Sequence, residues 1–313
     1  MDKMVSDGAT RTGHENHAPT LPSGRTSGLG DFGTIRRGTL GGMDAAAERL
    51  EIDPPLRGWV SDATVTAYVG PCPLIHPPEA ATTLVWRTTG DDPPQLFVVG
   101  PRTRAAYHEP KDVPVCVRVR LAYGAVSAVL GIPAGQLVDR VVPLTELWGL
   151  AGERLHAKLA AVADGPAAGS LVLGAVRHRI SAAVPARHVG TGLVAAAARE
   201  LSLTGSDALG VGQIARRIGL SERHLRTIFA REVGLGPKQY ARIRRVRAAL
   251  SRLHLHGRHQ VDPHSRGRQH TDLAGLAAAT GYADQAHLTA EFRDLMQVTP
   301  GAFVRGDLPT VPC

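Results

Sequence analysis

One local pattern occurs twice in the last third of the chain and constrains it more than any bulk property. In VGQIARRIGLSERHLRTIFAREVG the spacing predicts a short helix over 211–217, a turn at Gly219 and a second helix from an N-cap at Ser221 to Val233. Leu225, Ile228, Phe229 and Val233 form one apolar stripe on that second helix, and Arg223, Arg226, Thr227 and Ala230 fall on the opposite face. About sixty residues later, TDLAGLAAATGYADQAHLTAEFRDLMQVTPGAF predicts a helix over 273–280, a turn at Gly281 and a helix from about Asp284. There Leu288, Phe292 and Leu295 point inward by spacing, while Gln285, Ala286, Thr289 and Arg293 point out. Between the two lies PKQYARIRRVRAALSRL, a linking helix of about sixteen residues and, at about 1.5 Å per residue, on the order of 24 Å. A helix-turn-helix places its second helix in the major groove, and a linker of that scale sets two such helices roughly one DNA turn, about 34 Å, apart.

The charge distribution agrees. The chain carries a formal net charge of +8, but residues 211–305 hold 16 Lys and Arg against 7 Asp and Glu, and the remainder is close to neutral. A basic segment of this kind suits a phosphate backbone, because neutralising phosphates releases condensed counterions.

The rest of the 313 residues divides by composition. Residues 1–55, rich in Gly, Ser, Thr, Asp and Pro, are expected to be a flexible tail. From Trp59 the runs WVSDATVTAYV, TTLVWR, QLFVVG and VPVCVRVRL, separated by Pro and Gly clusters such as GPCPLIHPPEA and TGDDPP, predict a small antiparallel sheet or barrel. YGAVSAVLG, PAGQLVDRVVPLTELWG and GERLHAKLAAVAD follow, the last with Leu155, Leu159 and Val162 at helical spacing, so helices follow the strands. The expected organisation is therefore an α+β sensing or dimerisation domain over 56–181, a linker over 182–190, an all-α domain over 191–305 with two helix-turn-helix units joined by a linker helix, and a tail over 306–313.

Several function classes are disfavoured. Cys72, Cys116 and Cys313 are too few and too scattered for a disulfide framework or a CxxC zinc site, and are read as reduced thiols. No GxSxG, HExxH or GxxxxGK[ST] occurs, so no enzyme activity and no cofactor are predicted. With no run of about eighteen apolar residues and a polar N-terminus, the expected location is cytoplasmic, without a membrane partner.

The blocks GLSERHLRTIFAREVGLGPKQY and GYADQAHLTAEFR and the closing VTPGAF together resemble the C-terminal domain of the AraC/XylS family of transcriptional regulators, over residues 187–305. The resemblance implies a DNA-binding regulator in which the exposed stripe of each second helix reads bases: Arg223, Arg226 and Thr227 in the first unit, Gln285, His287 and Thr289 in the second. Arginine prefers the O6/N7 edge of guanine and glutamine that of adenine, so the first site is expected to be G-rich on one strand. Ser221, Arg216, Arg217, Arg231, Lys238, Arg242 and Arg293 are placed for phosphates. Double-stranded DNA is the expected partner, with a small-molecule effector and a second protomer as further candidates, and RNA polymerase if the protein activates. The alternative is a nonspecific, architectural DNA-binding protein without a ligand.

Three departures from the family pattern stand out. Ala286 replaces a usual serine and Ala290 a usual long polar residue, which points to fewer base contacts in the second unit. HLHGRHQVDPHSRGRQH is an insertion; its His254, His256, His259, His264 and His270 lack metal-ligand spacing, and the stretch is read as a mobile basic loop adding nonspecific affinity. A repair methyltransferase carrying the same helical module would need a reactive Pro-Cys-His-Arg, whereas Cys72 sits in GPCPLI. More weakly, RVRLAYGAVSAVLGIPAGQLVDRVVPLTELWG resembles a sensor region found in some members of the family; it implies a ligand or dimerisation role, and no cupin-like metal site is formed by His76 with Glu79 or His108 with Glu109.

Overall fold

A computed structural model describes residues 45–90, 92–162, 164–182, 188–202, 209–259 and 272–309. The N-terminal half holds strands β1 (Ala45–Arg49), β2 (Val60–Tyr68), β3 (Cys72–His76), β4 (Thr83–Thr89), β5 (Asp92–Val99), β6 (Ala106–Lys111), β7 (Val115–Leu121) and β8 (Val141–Pro143). Six of them form an antiparallel sheet in the order β1-β2-β7-β4-β5-β8, and β3 and β6 form a separate antiparallel pair.

Period-two alternation assigns the faces of the large sheet. Leu84, Trp86, Leu96, Val98, Val117, Val119 and Leu121 are buried in one apolar cluster with helices α1 (Val126–Leu130), α2 (Leu144–Trp148), α3 (Leu150–Ala160) and α4 (Gly165–Ala182). Burying each of the larger side chains contributes about 1.5–3 kcal/mol, which is what attaches the helical layer to the sheet. Leu155 and Leu159, picked out by spacing, are buried in that cluster. The other face carries the smaller cluster of Val85, Phe97, Val113 and Cys116, together with Arg87, Arg118 and Arg120 from the alternate register positions.

The C-terminal half is helical: α5 (His188–Leu201), α6 (Val211–Arg217), α7 (Glu222–Val233), α8 (Pro237–His259), α9 (Leu273–Ala279), α10 (Gln285–Met296) and α11 (Pro300–Arg305). Leu225, Ile228, Phe229, Val233, Leu288, Phe292 and Leu295 are all buried in one core with Tyr240, Ile243, Val246 and Leu250 of α8. Tyr240 anchors the linker helix, its ring edge-on to Phe229 at 5.2 Å between centroids and its hydroxyl donating to Ala198 O at 3.2 Å.

The fold corrects several expectations. Residues 45–55 are not tail: β1 pairs along β2 from Ala45↔Tyr68 to Arg49↔Thr64, and Leu50 and Ile52 pack on the sheet core. AAAER has little strand propensity of its own, so its conformation is imposed by the β2 edge. The cluster GPCPLIHPPEA contains β3, and β6 and β8 also lie in stretches too short or too Pro-rich to announce themselves. Helix α8 has 23 residues, about 34 Å of helix, and runs through residues 254–259, which were expected to be loop; 260–271 lie outside the described residues. Of the expected linker 182–190, residue 182 ends α4, residues 188–190 already belong to α5, and 183–187 lie outside the described residues. In the expected C-terminal tail Leu308 packs against the helical core.

Candidate nucleic-acid interface

Each helix pair is built from the same local devices. After α6, Gly219 takes a left-handed φ of 73° and the Leu220 N–H donates to Ala215 O at 2.8 Å; after α9, Gly281 has φ 76° and the Tyr282 N–H donates to Ala277 O at 3.0 Å. The left-handed turn is why glycine is needed at both positions. Ser221 caps α7 by accepting from the His224 N–H at 3.1 Å, and Asp284 caps α10 by accepting from the His287 N–H at 2.7 Å. Each cap satisfies one of the orphan donors of a helix start. The second turn is longer by one residue, Ala283.

Counted from the caps, Arg223, Arg226, Thr227 and Ala230 of α7 correspond to Ala286, Thr289, Ala290 and Arg293 of α10. Arg223, Arg226 and Thr227 are exposed together on the face opposite the buried stripe. Arg226 is held by Glu222 one turn back at 2.5 Å, and the Thr227 hydroxyl donates to Arg223 O at 3.0 Å. In α10, exposed Gln285 and half-buried Thr289 share a face by i, i+4 spacing, whereas His287 is turned aside, its ring edge-on to Tyr282 at 5.2 Å. The structure therefore assembles the first predicted triad and divides the second.

The proposed phosphate set also divides. Arg216, Lys238 and Arg293 are exposed, and Ser221 keeps its hydroxyl proton while its oxygen serves as the cap. Exposed Arg217 and Arg231 reach Glu200 at 3.4 Å and Glu232 at 2.8 Å. Arg242 is a correction: it binds Glu291 at 3.0 Å and Asp294 at 2.6 Å, which raises its own pKa above the usual guanidinium value and lowers that of Asp294. It is a strut between α8 and α10 rather than an open cation. Arg245 bonds the same Glu291 at 3.1 Å and lies over the Tyr282 ring, so part of the basic excess of this segment is spent internally.

Sequence reasoning missed how the sheet domain holds both units. Ala105 N–H donates to Leu295 O at 2.7 Å and the Tyr107 hydroxyl to Met296 O at 2.5 Å, satisfying carbonyls that α10 leaves open at its C-terminus. At the end of α7, Gly234 has φ 85°, and an added Cβ would lie 2.8 Å from Ala134 O in the 3-10 turn Ala134–Leu137, so only glycine allows that approach. On α8, buried Arg247 pairs with Glu79 at 3.1 Å and donates to Pro78 O at 3.1 Å. These contacts join residues 100–190 positions apart and have no local signature. Both second helices are thus docked by their C-terminal ends, with their N-terminal halves outward.

Among the described residues, no helix is long and apolar enough to cross a membrane and no cluster of His, Cys, Asp and Glu could hold a metal ion. A two-domain chain with a sheet-and-helix N-terminal half and two helix-turn-helix units in its C-terminal half is the class that fold and site define. No protein-family model matches the chain, and no curated protein matches it. Solved structures similar to it include an AraC-type DNA-binding domain-containing transcriptional regulator from Chromobacterium violaceum, 18% identical, covering 38% of this chain and 94% of that one, with a TM-score of 0.30. The DNA-binding domain of the global transcriptional factor AdpA, solved with a target DNA, is 20% identical over 37% of this chain and 90% of that one, with a TM-score of 0.28. ToxT from Vibrio cholerae is 8% identical over 84% of this chain and 97% of that one, with a TM-score of 0.38.

Proposed function

We propose that the chain is a sequence-specific DNA-binding transcriptional regulator of the AraC type, reading two adjacent major-groove segments, with an N-terminal domain that receives a ligand or a second protomer. The observation that carries this reading is the paired geometry of α6–α7 and α9–α10: each second helix buries one stripe, and α7 leaves Arg223, Arg226 and Thr227 together in solvent. Guanidinium groups on an open helix face reach the guanine O6/N7 edge, while Arg216, Lys238 and Arg293 supply backbone contacts that fix register. The docking of both helices on the sheet domain supports a role for that domain in setting how the units sit on DNA.

The test is selection of bound fragments from a genomic library by the purified full chain at near-physiological salt, followed by sequencing. Two blocks about ten base pairs apart, with G in the block under α7, are expected. Fragments without a common motif, bound with a steep salt dependence alone, would replace this reading with the architectural one.

A further inference from the structure

The two arginines on the open face of α7 are in different states. Arg223 is exposed and forms no ion pair among the described residues, whereas Arg226 is paired with Glu222, the first residue of the helix. The Nε and Nη2 groups of Arg226 both donate to a single oxygen, Glu222 Oε1, at 3.0 and 2.5 Å. One edge of the guanidinium is thereby occupied, and the donors on Nη1 and on the far side of Nη2 are left for another acceptor. The second carboxylate oxygen, Glu222 Oε2, lies against α6, since a Cβ added at Gly212 would come within 2.8 Å of it. The bare position at 212 lets the carboxylate sit between α6 and the guanidinium, so the pair is located by both helices of the unit.

Stability does not account for this arrangement. The side chains of Arg226 and Glu222 are 57% and 46% exposed, and an exposed i, i+4 ion pair contributes little. A carboxylate on the outward face of a basic helix pair also opposes an approaching phosphate backbone. Glycine inside a helix is less favourable than alanine, so the space at Gly212 is itself kept at a cost. The other unit lacks both partners. Counted from the caps, Gln285 of α10 stands where α7 has Glu222, and Thr289 stands where α7 has Arg226. The acid and the arginine therefore occur together in one unit and are absent together from the other.

We propose that Glu222 is a positioning residue that sets base specificity: it fixes the guanidinium of Arg226 with its outer fork open to a base edge and, by cancelling the charge, keeps it from settling on a phosphate. The inference rests on the regulatory reading above and deepens it. A fixed fork selects a pair of acceptors with the geometry of guanine O6 and N7, whereas a mobile, fully charged arginine accepts any phosphate oxygen within reach. Arg223, with its whole charge, is not restrained in this way.

The test uses the full chain and two readouts. On random-sequence duplex, Glu222→Gln should steepen the dependence of log affinity on log salt by about one unit of slope, because one more cation becomes available to a phosphate. Adding Arg226→Ala to that variant should restore the parental slope, since the doubly substituted helix carries the same net charge as the parent. In selection at fixed salt, Glu222→Gln should weaken the preference for G at one base pair by about two- to fivefold, and Arg226→Ala should abolish preference at that same pair. Gly212→Ala, which displaces the carboxylate from the side of α6, should weaken preference at that pair while the melting temperature stays equal or rises. A role for Glu222 confined to the helix start would move the melting temperature and neither readout. An unchanged salt slope in Glu222→Gln overturns the proposal, as does a base preference that is unchanged or is lost at a different pair. If the parent selects no motif while the slope of Glu222→Gln steepens, it is the regulatory reading that fails and not the restraint on Arg226.

Discussion

Helices α7 and α10 have the same length, twelve residues, the same kind of cap and equivalent buried stripes, yet their open faces are very different. From the cap onward α7 shows Arg223, Arg226 and Thr227, where α10 shows Ala286, Thr289 and Ala290. The carboxylates differ as well. Glu222 of α7 is exposed and steadies Arg226, whereas Glu291 of α10 is buried and collects Arg242 and Arg245 from the linker helix. The first unit directs its polar chemistry outward; the second directs its own inward, to hold α8. The scaffold of a helix-turn-helix and its exposed face are thus set by separate residues, and one can be kept while the other is depleted.

The largest effect tests the shared half of this comparison. Phe229→Ala and Phe292→Ala should each cost about 3–5 kcal/mol in denaturant unfolding, since both rings are fully buried. A cost confined to one of them would break the structural equivalence. Next comes the half that differs. Arg226→Ala should cost about 1–3 kcal/mol of specific binding and relax preference at one base pair, while Thr289→Ala should cost less than about 1 kcal/mol. Titrating both variants on the selected site and on scrambled DNA measures the difference, and Arg231→Ala should instead weaken all sequences alike. The caps follow, with Ser221→Ala and Asp284→Ala each losing about 1 kcal/mol of stability.

The smallest effect concerns how the two helices are docked. His108 neighbours Tyr107 on β6, which holds the end of α10, and with His76 it folds with a pKa below 6.5 because burial disfavours the charged ring. The unfolded chain then binds more protons, so stability is lost as pH falls below about 6.5 toward the folded values. Hydrogen exchange between pH 7 and 5 should show the last turn of α10 loosening before that of α7, which is docked on the 3-10 turn Ala134–Leu137. Equal protection at both helix ends would remove this distinction.

Much of the C-terminal half was legible because its signals are local. Ser221 and Asp284 stand at the caps, Gly219 and Gly281 at the turns, and the stripes from Leu225 to Val233 and from Leu288 to Leu295 follow helical spacing. In the N-terminal half the runs with β-branched residues at alternate positions became β2, β4, β5 and β7, but β1 and β3 are held by pairing partners rather than by their own composition. The side chains that decide which surface is open were least legible. Arg242 reads as one more cation of a basic helix until Glu291 and Asp294 are folded against it, and Arg247 reads the same way until Glu79, far earlier in the chain, is brought to it.

The asymmetry between the two units is tested most directly by taking the selected site and scrambling one block at a time, with affinity measured by titration of the full chain at fixed salt. Scrambling the block under α7 should reduce binding nearly to the nonspecific level, and scrambling the block under α10 should cost a small fraction of that. Equal losses, or the larger loss from the α10 block, would contradict the account.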